Sequence, residues 1–246
     1  MTSYANETVG NIAAAIPAST RIFEKLGIDY CCGGKLTLAA ASERANLPLE
    51  KVLTMLQAIE QSQPEQPDRQ WNDATATELI TYIVQKHHSF VRSEIPRLEA
   101  LLVKVNGRHR SSHQELAHIQ DLFGAVAQEL QTHMFKEERV LFPYIEELDA
   151  AARIEGPEPS GCFPSVEFPI SRMVADHDDA GELFVSMRRL SNGYAPPEDA
   201  CASFQALYRG LEEFEQDLHQ HIHLENNILF PRAIELERAV RQPSPV

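Results

Sequence analysis

His133-Met134-Phe135-Lys136-Glu137-Glu138-Arg139-Val140-Leu141-Phe142-Pro143 and His221-Ile222-His223-Leu224-Glu225-Asn226-Asn227-Ile228-Leu229-Phe230-Pro231 are two versions of one segment, 88 positions apart. Each carries His-x-x-x-Glu followed by Leu-Phe-Pro. An i, i+4 spacing sets imidazole and carboxylate one turn apart on the same helical face. The apolar period identifies that face. His221 and Glu225 continue Leu207, Leu211, Phe214 and Leu218, while His133 and Glu137 lie between Val126 with Leu130 and Val140 with Leu141. Both pairs therefore point inward.

The repeat extends backwards along the chain. Ile80, Ile83, Val84 and His87 recur 90 positions later as Ile170, Met173, Val174 and His177. Four long amphipathic helices are predicted, over about 75–105, 113–150, 168–191 and 198–240. Short or Gly/Pro-rich connections join them, which favours antiparallel neighbours and an up-down-up-down four-helix bundle. Pro96, Pro143 and Pro231 are expected to bend the first, second and fourth helices. No β alternation is present, so the fold class is all-α.

Six ionisable groups, His87, His133, Glu137, His177, His221 and Glu225, then face the interior. Isolated buried carboxylates cost several kcal/mol each unless paired or bound to a metal. Two cations would offset that cost, each with two imidazoles and with both carboxylates bridging. Nitrogen and oxygen ligands without thiolate favour iron or manganese, with zinc as a further choice. A bis-His haem would not require two buried glutamates. Glu129 and Asp217 precede the two helical histidines by a turn, and could orient imidazoles or carry protons. His88 adjoins His87, but the flanking repeat selects His87. His219 and His223 form a rival pair that falls off the repeat. His109, His113 and His118 occupy a polar stretch and read as solvated.

Upstream, Gln61 to Gln70 is polar, holds Pro64 and Pro67, and reads as a linker. The domains expected are 1–60, a linker at 61–74, and the bundle at 75–246. The first is a small helical domain. Val9, Ile12, Ala13 and Ile16 mark one helix, Ser19 to Gly27 bounds a second, a third starts near Thr37, and a fourth opens at Pro48. Its loop contains Cys31-Cys32-Gly33-Gly34. Adjacent cysteines do not readily join each other, because the ring is strained. They read either as thiols for redox chemistry, persulfide or soft-metal capture, or as two small packed residues. Cys162 and Cys201 are isolated.

Composition agrees. The 246 residues are 43% hydrophobic and 24% charged, with a net charge of −14. That field opposes nucleic acid and anionic membrane as partners. No apolar run approaches about 18 residues, so no membrane span is expected. The cysteines form no disulfide framework, and the first residues show no signal-peptide pattern, which together fit a reducing cytosolic setting.

Leu26-Gly27-Ile28-Asp29-Tyr30-Cys31-Cys32-Gly33-Gly34-Lys35 resembles the N-terminal motif of the bacterial repair-of-iron-centres proteins. The two His-x-x-x-Glu segments with Leu-Phe-Pro are similar to their hemerythrin-like domain. The resemblance spans nearly the whole chain. It implies two non-haem iron ions joined by an oxo bridge in a cytoplasmic stress protein that restores iron–sulfur clusters after nitric oxide or peroxide damage. It further implies His87, His133, His177 and His221 as terminal ligands, Glu137 and Glu225 as bridges, and Cys31 with Cys32 as the thiol pair. Damaged iron–sulfur proteins would be clients, and nitric oxide or dioxygen the small ligands. A nitric oxide reductase forming nitrous oxide, and a dioxygen or nitric oxide binding or sensing protein, stay open as alternatives. So does a homodimer.

Overall fold

The computed structural model describes residues 4–61, 71–154, 156–157 and 159–241. Most of the expected linker, 62–70, lies outside the described residues. Regular structure among them is helical, apart from an isolated antiparallel bridge between Thr8 and Thr37. The short helices are α1 (Val9–Ala15), α2 (Ser19–Leu26), α3 (Leu38–Arg44) and α4 (Leu49–Gln61). The long ones are broken by π-turns. The first is α5 (Ala76–Tyr82), a π-turn at Ile83–His88 and α6 (Ser89–His109). The second is α7 (Glu115–Lys136), a π-turn at Glu137–Leu141 and α8 (Phe142–Ile154). The third, α9 (Glu167–Leu190), is uninterrupted. The fourth is α10 (Ala202–Leu224), a π-turn at Glu225–Leu229 and α11 (Phe230–Arg241).

The chain divides into two compact units. The second unit, residues 82–143 and 168–218, holds the central lengths of all four long helices. Its core is built on Phe214 of α10, which meets Phe123 edge-on at 5.5 Å and Phe184 in a stacked pair at 5.8 Å. Between α9 and α10 the chain reverses through Asn192, Gly193 and Tyr194, all at positive φ. The Ser191 hydroxyl accepts the Tyr194 N–H at 3.0 Å and stabilises that reversal.

The first unit contains residues 1–81, 144–167 and 219–246. Its small helices are bounded by local signals, although α2 starts at Ser19 without the side-chain cap expected there. Thr8 and Thr37 accept N–H groups of Asn11 and Ala40 at the starts of α1 and α3. Gly27 ends α2 at φ 66°, with the next N–H returned to Phe23 O at 2.8 Å. Val9, Ile12, Phe23, Tyr30, Leu38, Val52 and Leu56 make the core beneath them. Elsewhere in this unit Glu237 of α11 is a buried hub. Its carboxylate accepts the Tyr144 hydroxyl at 3.1 Å, the Ser165 hydroxyl at 2.7 Å and the Val166 N–H at 2.8 Å.

Pro143 and Pro231 stand two residues beyond the π-turns of the second and fourth helices. A proline there cannot donate to the carbonyl four residues back, so the ladder opens and an extra residue is accommodated. In the second and fourth helices π-turns thus stand where bends are expected, whereas Pro96 lies inside the uninterrupted α6 and the π-turn of the first helix precedes it. Replacing Glu237 by Ala would strand two buried donors and a buried hydroxyl, at a cost of about 3 kcal/mol. Urea unfolding of E237A against the parent is expected to show that loss; a change below about 1 kcal/mol would remove Glu237 as a keystone.

Candidate metal centre

In the second unit, four chemistry-bearing side chains sit inside the π-turn level of the helices. His88, His133, Glu137 and His177 are at most 2% exposed. His133 Nε2 lies 3.0 Å from His177 Nε2 and 3.3 Å from Glu137 Oε1, and His88 Nε2 lies 3.4 Å from Glu137 Oε2. Ligands at right angles on bonds of about 2.1 Å are separated by about 3.0 Å, so these spacings are those of a coordination shell. The chemistry of the set agrees: neutral imidazoles and a carboxylate in a dry interior are poor neighbours for each other without a cation.

Charged groups on the outer side hold the imidazoles. Glu138 Oε1 meets His88 Nδ1 at 2.6 Å and Arg92 at 2.6 Å. Burial would raise the Glu138 carboxyl, but the hydrogen bonds to His88 and Arg92 outweigh it and hold it below its ordinary range. Asp176 lies 3.6 Å from His133 Nδ1, 3.2 Å from Lys136 and 2.7 Å from Arg172. The neighbouring His133 imidazole, with the two cations, lowers its carboxyl to about 2. A carboxylate on Nδ1 fixes the tautomer that leaves the Nε2 lone pair facing inward.

The structure brings His88, not His87, to Glu137. His87 is also buried, but its Nδ1 bonds Asp217 at 3.0 Å and its ring meets Tyr82 edge-on at 5.6 Å. The reason is the π-turn at Ile83–His88, which inserts one residue into the first helix while α9 has none. Before the turn, the buried pairs Ile80 with Ile170 and Ile83 with Met173 are 90 positions apart. After it, Val91 with Ala180, Ile95 with Phe184 and Leu98 with Met187 are 89 apart. The His177 equivalent is therefore His88. Following the repeat past the histidines would have revealed this. Of the two carboxylates expected to orient imidazoles, Asp217 does so for His87, whereas Glu129 is exposed. Glu138 and Asp176 were missed because each adjoins a ligand in sequence.

In the first unit, His221 and Glu225 are buried, with His221 Nε2 2.9 Å from Glu225 Oε1. The off-repeat histidines have another task. His223 packs against the Tyr30 ring at 5.4 Å and His219 at 6.5 Å, both edge-on. Burial lowers His223 to about 4, so its Nδ1 stands as an acceptor for Asn227 Nδ2 at 3.0 Å. The same amide donates to Tyr30 O at 3.1 Å. Any side chain at Gly10 or Gly34 would overlap Asn227 Oδ1, which explains glycine at both. The cysteine loop is thereby fastened to the π-turn that carries Glu225. Cys31 is buried and Cys32 half-buried.

His109 and His113 are not solvated as expected. His113 bridges Asp199 at 3.0 Å and Glu115 at 3.1 Å, and His109 Nε2 lies 3.3 Å from Cys201 Sγ. His118 is exposed, as is Cys162.

Two family models match stretches of the chain. The hemerythrin HHE cation binding domain matches residues 79–233, and the ScdA_N domain, a domain of unknown function (DUF542), matches residues 5–60. A protein of Pectobacterium atrosepticum named iron-sulfur cluster repair protein YtfE is 37% identical over 232 residues, covering 94% of this chain and 98% of that protein. One of the same name from Yersinia pestis is 37% identical over 231 residues, with the same coverage. No helix among the described residues is long and apolar enough to cross a membrane. With an all-α fold, buried histidine and glutamate sets able to hold metal, and both domains present in order, this chain belongs to the hemerythrin-like family of iron–sulfur cluster repair proteins.

Proposed function

We propose that this chain is a cytoplasmic di-iron protein that restores iron–sulfur clusters damaged by nitrosative or oxidative stress. In this reading His88, His133, Glu137, His177, His221 and Glu225 would hold two non-haem irons, with an oxo bridge expected between them. His87 then stands outside the ligand set, bonded to Asp217. The observation that carries the proposal is the fully buried Glu137 between His88 and His133, with its sequence twin Glu225 equally buried beside His221.

Bound iron would supply an electron-rich, ligand-exchanging centre for nitric oxide or dioxygen, and a source of metal for the client cluster. The protein groups prepare it. Glu138 and Asp176 hold His88 and His133 by Nδ1, so that both Nε2 atoms face inward. Lys136 and Arg172 fix Asp176 from the solvent side, which keeps a proton off its carboxylate. Phe142 stacks on the His88 ring at 5.8 Å, and Leu130, Met134 and Leu141, which flank His133 and Glu137 in sequence, are buried. Water is thus kept from the imidazoles while their orientation is fixed in advance.

Iron analysis and Mössbauer spectroscopy of protein from iron-replete cells are expected to give two coupled irons per chain. E137A and E225A should each retain fewer than about one. H88A should lose iron comparably while H87A keeps close to the full content; the reverse result would restore His87 as the ligand. D176N and E138Q should weaken iron binding about 10-fold or more, because the imidazoles they hold lose their orientation. Reactivation of a nitrosylated cluster enzyme tests the function itself. The iron-loaded chain should restore its activity and E137A should not, whereas equal rates would refute the repair reading.

A further inference from the structure

The loop between α2 and α3 carries a second constellation of metal-ligating atoms. Cys31 Sγ lies 3.9 Å from Cys32 Sγ and 3.3 Å from Asp29 Oδ1, and all three residues offer ligand atoms within 4.8 Å of one another. In a tetrahedral site with sulfur bonds of about 2.3 Å and oxygen bonds of about 2.0 Å, the corresponding edges are about 3.8 Å and about 3.5 Å. The loop holds that spacing already. We propose that Asp29, Cys31 and Cys32 form a binding site for one divalent cation of borderline softness, of the zinc or ferrous type. The site is separate from the six-ligand centre and does not depend on it.

The backbone is organised for this. Asp29 Oδ1 accepts the N–H groups of Cys31 and Cys32 at 3.1 and 3.0 Å, which fixes that oxygen beside the Cys31 thiol. Gly33 O accepts the Leu36 N–H at 3.0 Å, Gly34 O accepts the Gly10 N–H at 2.9 Å, and Tyr30 O is held by Asn227. The ligands stand on a loop tied on both sides, which lowers the ordering cost of binding. Asp29 is exposed and Cys32 half-buried, so an ion can enter from solvent.

Charge separates this role from that of a nucleophilic thiol. Reactive cysteines are placed beside cations or helix N-termini, which favour thiolate. Here the neighbour is a carboxylate, which disfavours an isolated thiolate but attracts a cation. Binding releases the two thiol protons to water, and two thiolates with one carboxylate then face the divalent ion. Oxygen-preferring magnesium gains little from such a set.

Titration of the full-length, iron-loaded chain with Cd²⁺ tests the proposal. Sulfur-to-cadmium charge-transfer absorption should saturate at one ion per chain, with two sulfurs seen by X-ray absorption. Zn²⁺ should bleach it, and Mg²⁺ at the same concentration should not. C31S and C32S should each abolish the two-sulfur signal, while C162S and C201S leave it intact. D29N preserves an acceptor for both N–H groups but removes the charge, and should weaken Cd²⁺ about tenfold or more. No absorption at one equivalent, or a signal that survives C31S and C32S, overturns the site. Iron content of the same samples reports the bundle centre separately, so failure of one is distinguishable from failure of the other.

Discussion

The cost of taking Glu137 and Glu225 out of water governs this molecule. Each carboxylate is wholly buried, and each is flanked by imidazole where a soluble helix would have placed leucine. An uncompensated buried charge destabilises a domain by several kcal/mol, comparable with the whole margin of folding. The helices around these residues are therefore arranged to supply opposite charge. Part of it is protein: Arg92, Lys136 and Arg172 stand behind the carboxylates that grip His88 and His133. The remainder is what the proposed iron would supply among these matched histidines and glutamates.

Much of this architecture was legible before any coordinates. Four long helices, the stop at Gly27, and the small helical module with its cysteine loop all follow from apolar period and turn residues. His133, Glu137, His177, His221 and Glu225 could be read from the repeat because the second and fourth helices carry equivalent π-turns, so their offset of 88 holds on both sides. His88 could be read only from the repeat beyond the histidines, where the offset falls to 89. The first helix has a π-turn that the third lacks, and hydrogen bonds of that kind leave no composition signal. Glu129 was misplaced for a related reason: position along one helix says nothing about which neighbouring helix fills the space beside an imidazole. Asp176 fills it for His133, from α9.

The histidines that break the repeat mark where symmetry ends. His219 and His223 serve the Tyr30 loop, and Asn227 joins that loop to the turn bearing Glu225. One half of the duplicated bundle has thus been adapted to receive the N-terminal module. The corresponding positions in the other half, Gln131, Phe135 and Arg139, keep ordinary surface character, with Phe135 exposed at 62%.

The unequal π-turns also bear on ancestry. If the two helix pairs descend from one duplicated unit, a single codon gained or lost in either half would produce the step from 90 to 89 between the first and third helices. Such a change would ordinarily rotate every later side chain by about 100° and bury the wrong face. Absorbed as a local bulge, it left Val91, Ile95 and Leu98 in phase with the core and exchanged only which of two adjacent histidines looks inward. The doublet His87-His88 gives the helix an imidazole in either frame, so a length change at this spot could drift into the lineage without passing through a form that had lost its ligand.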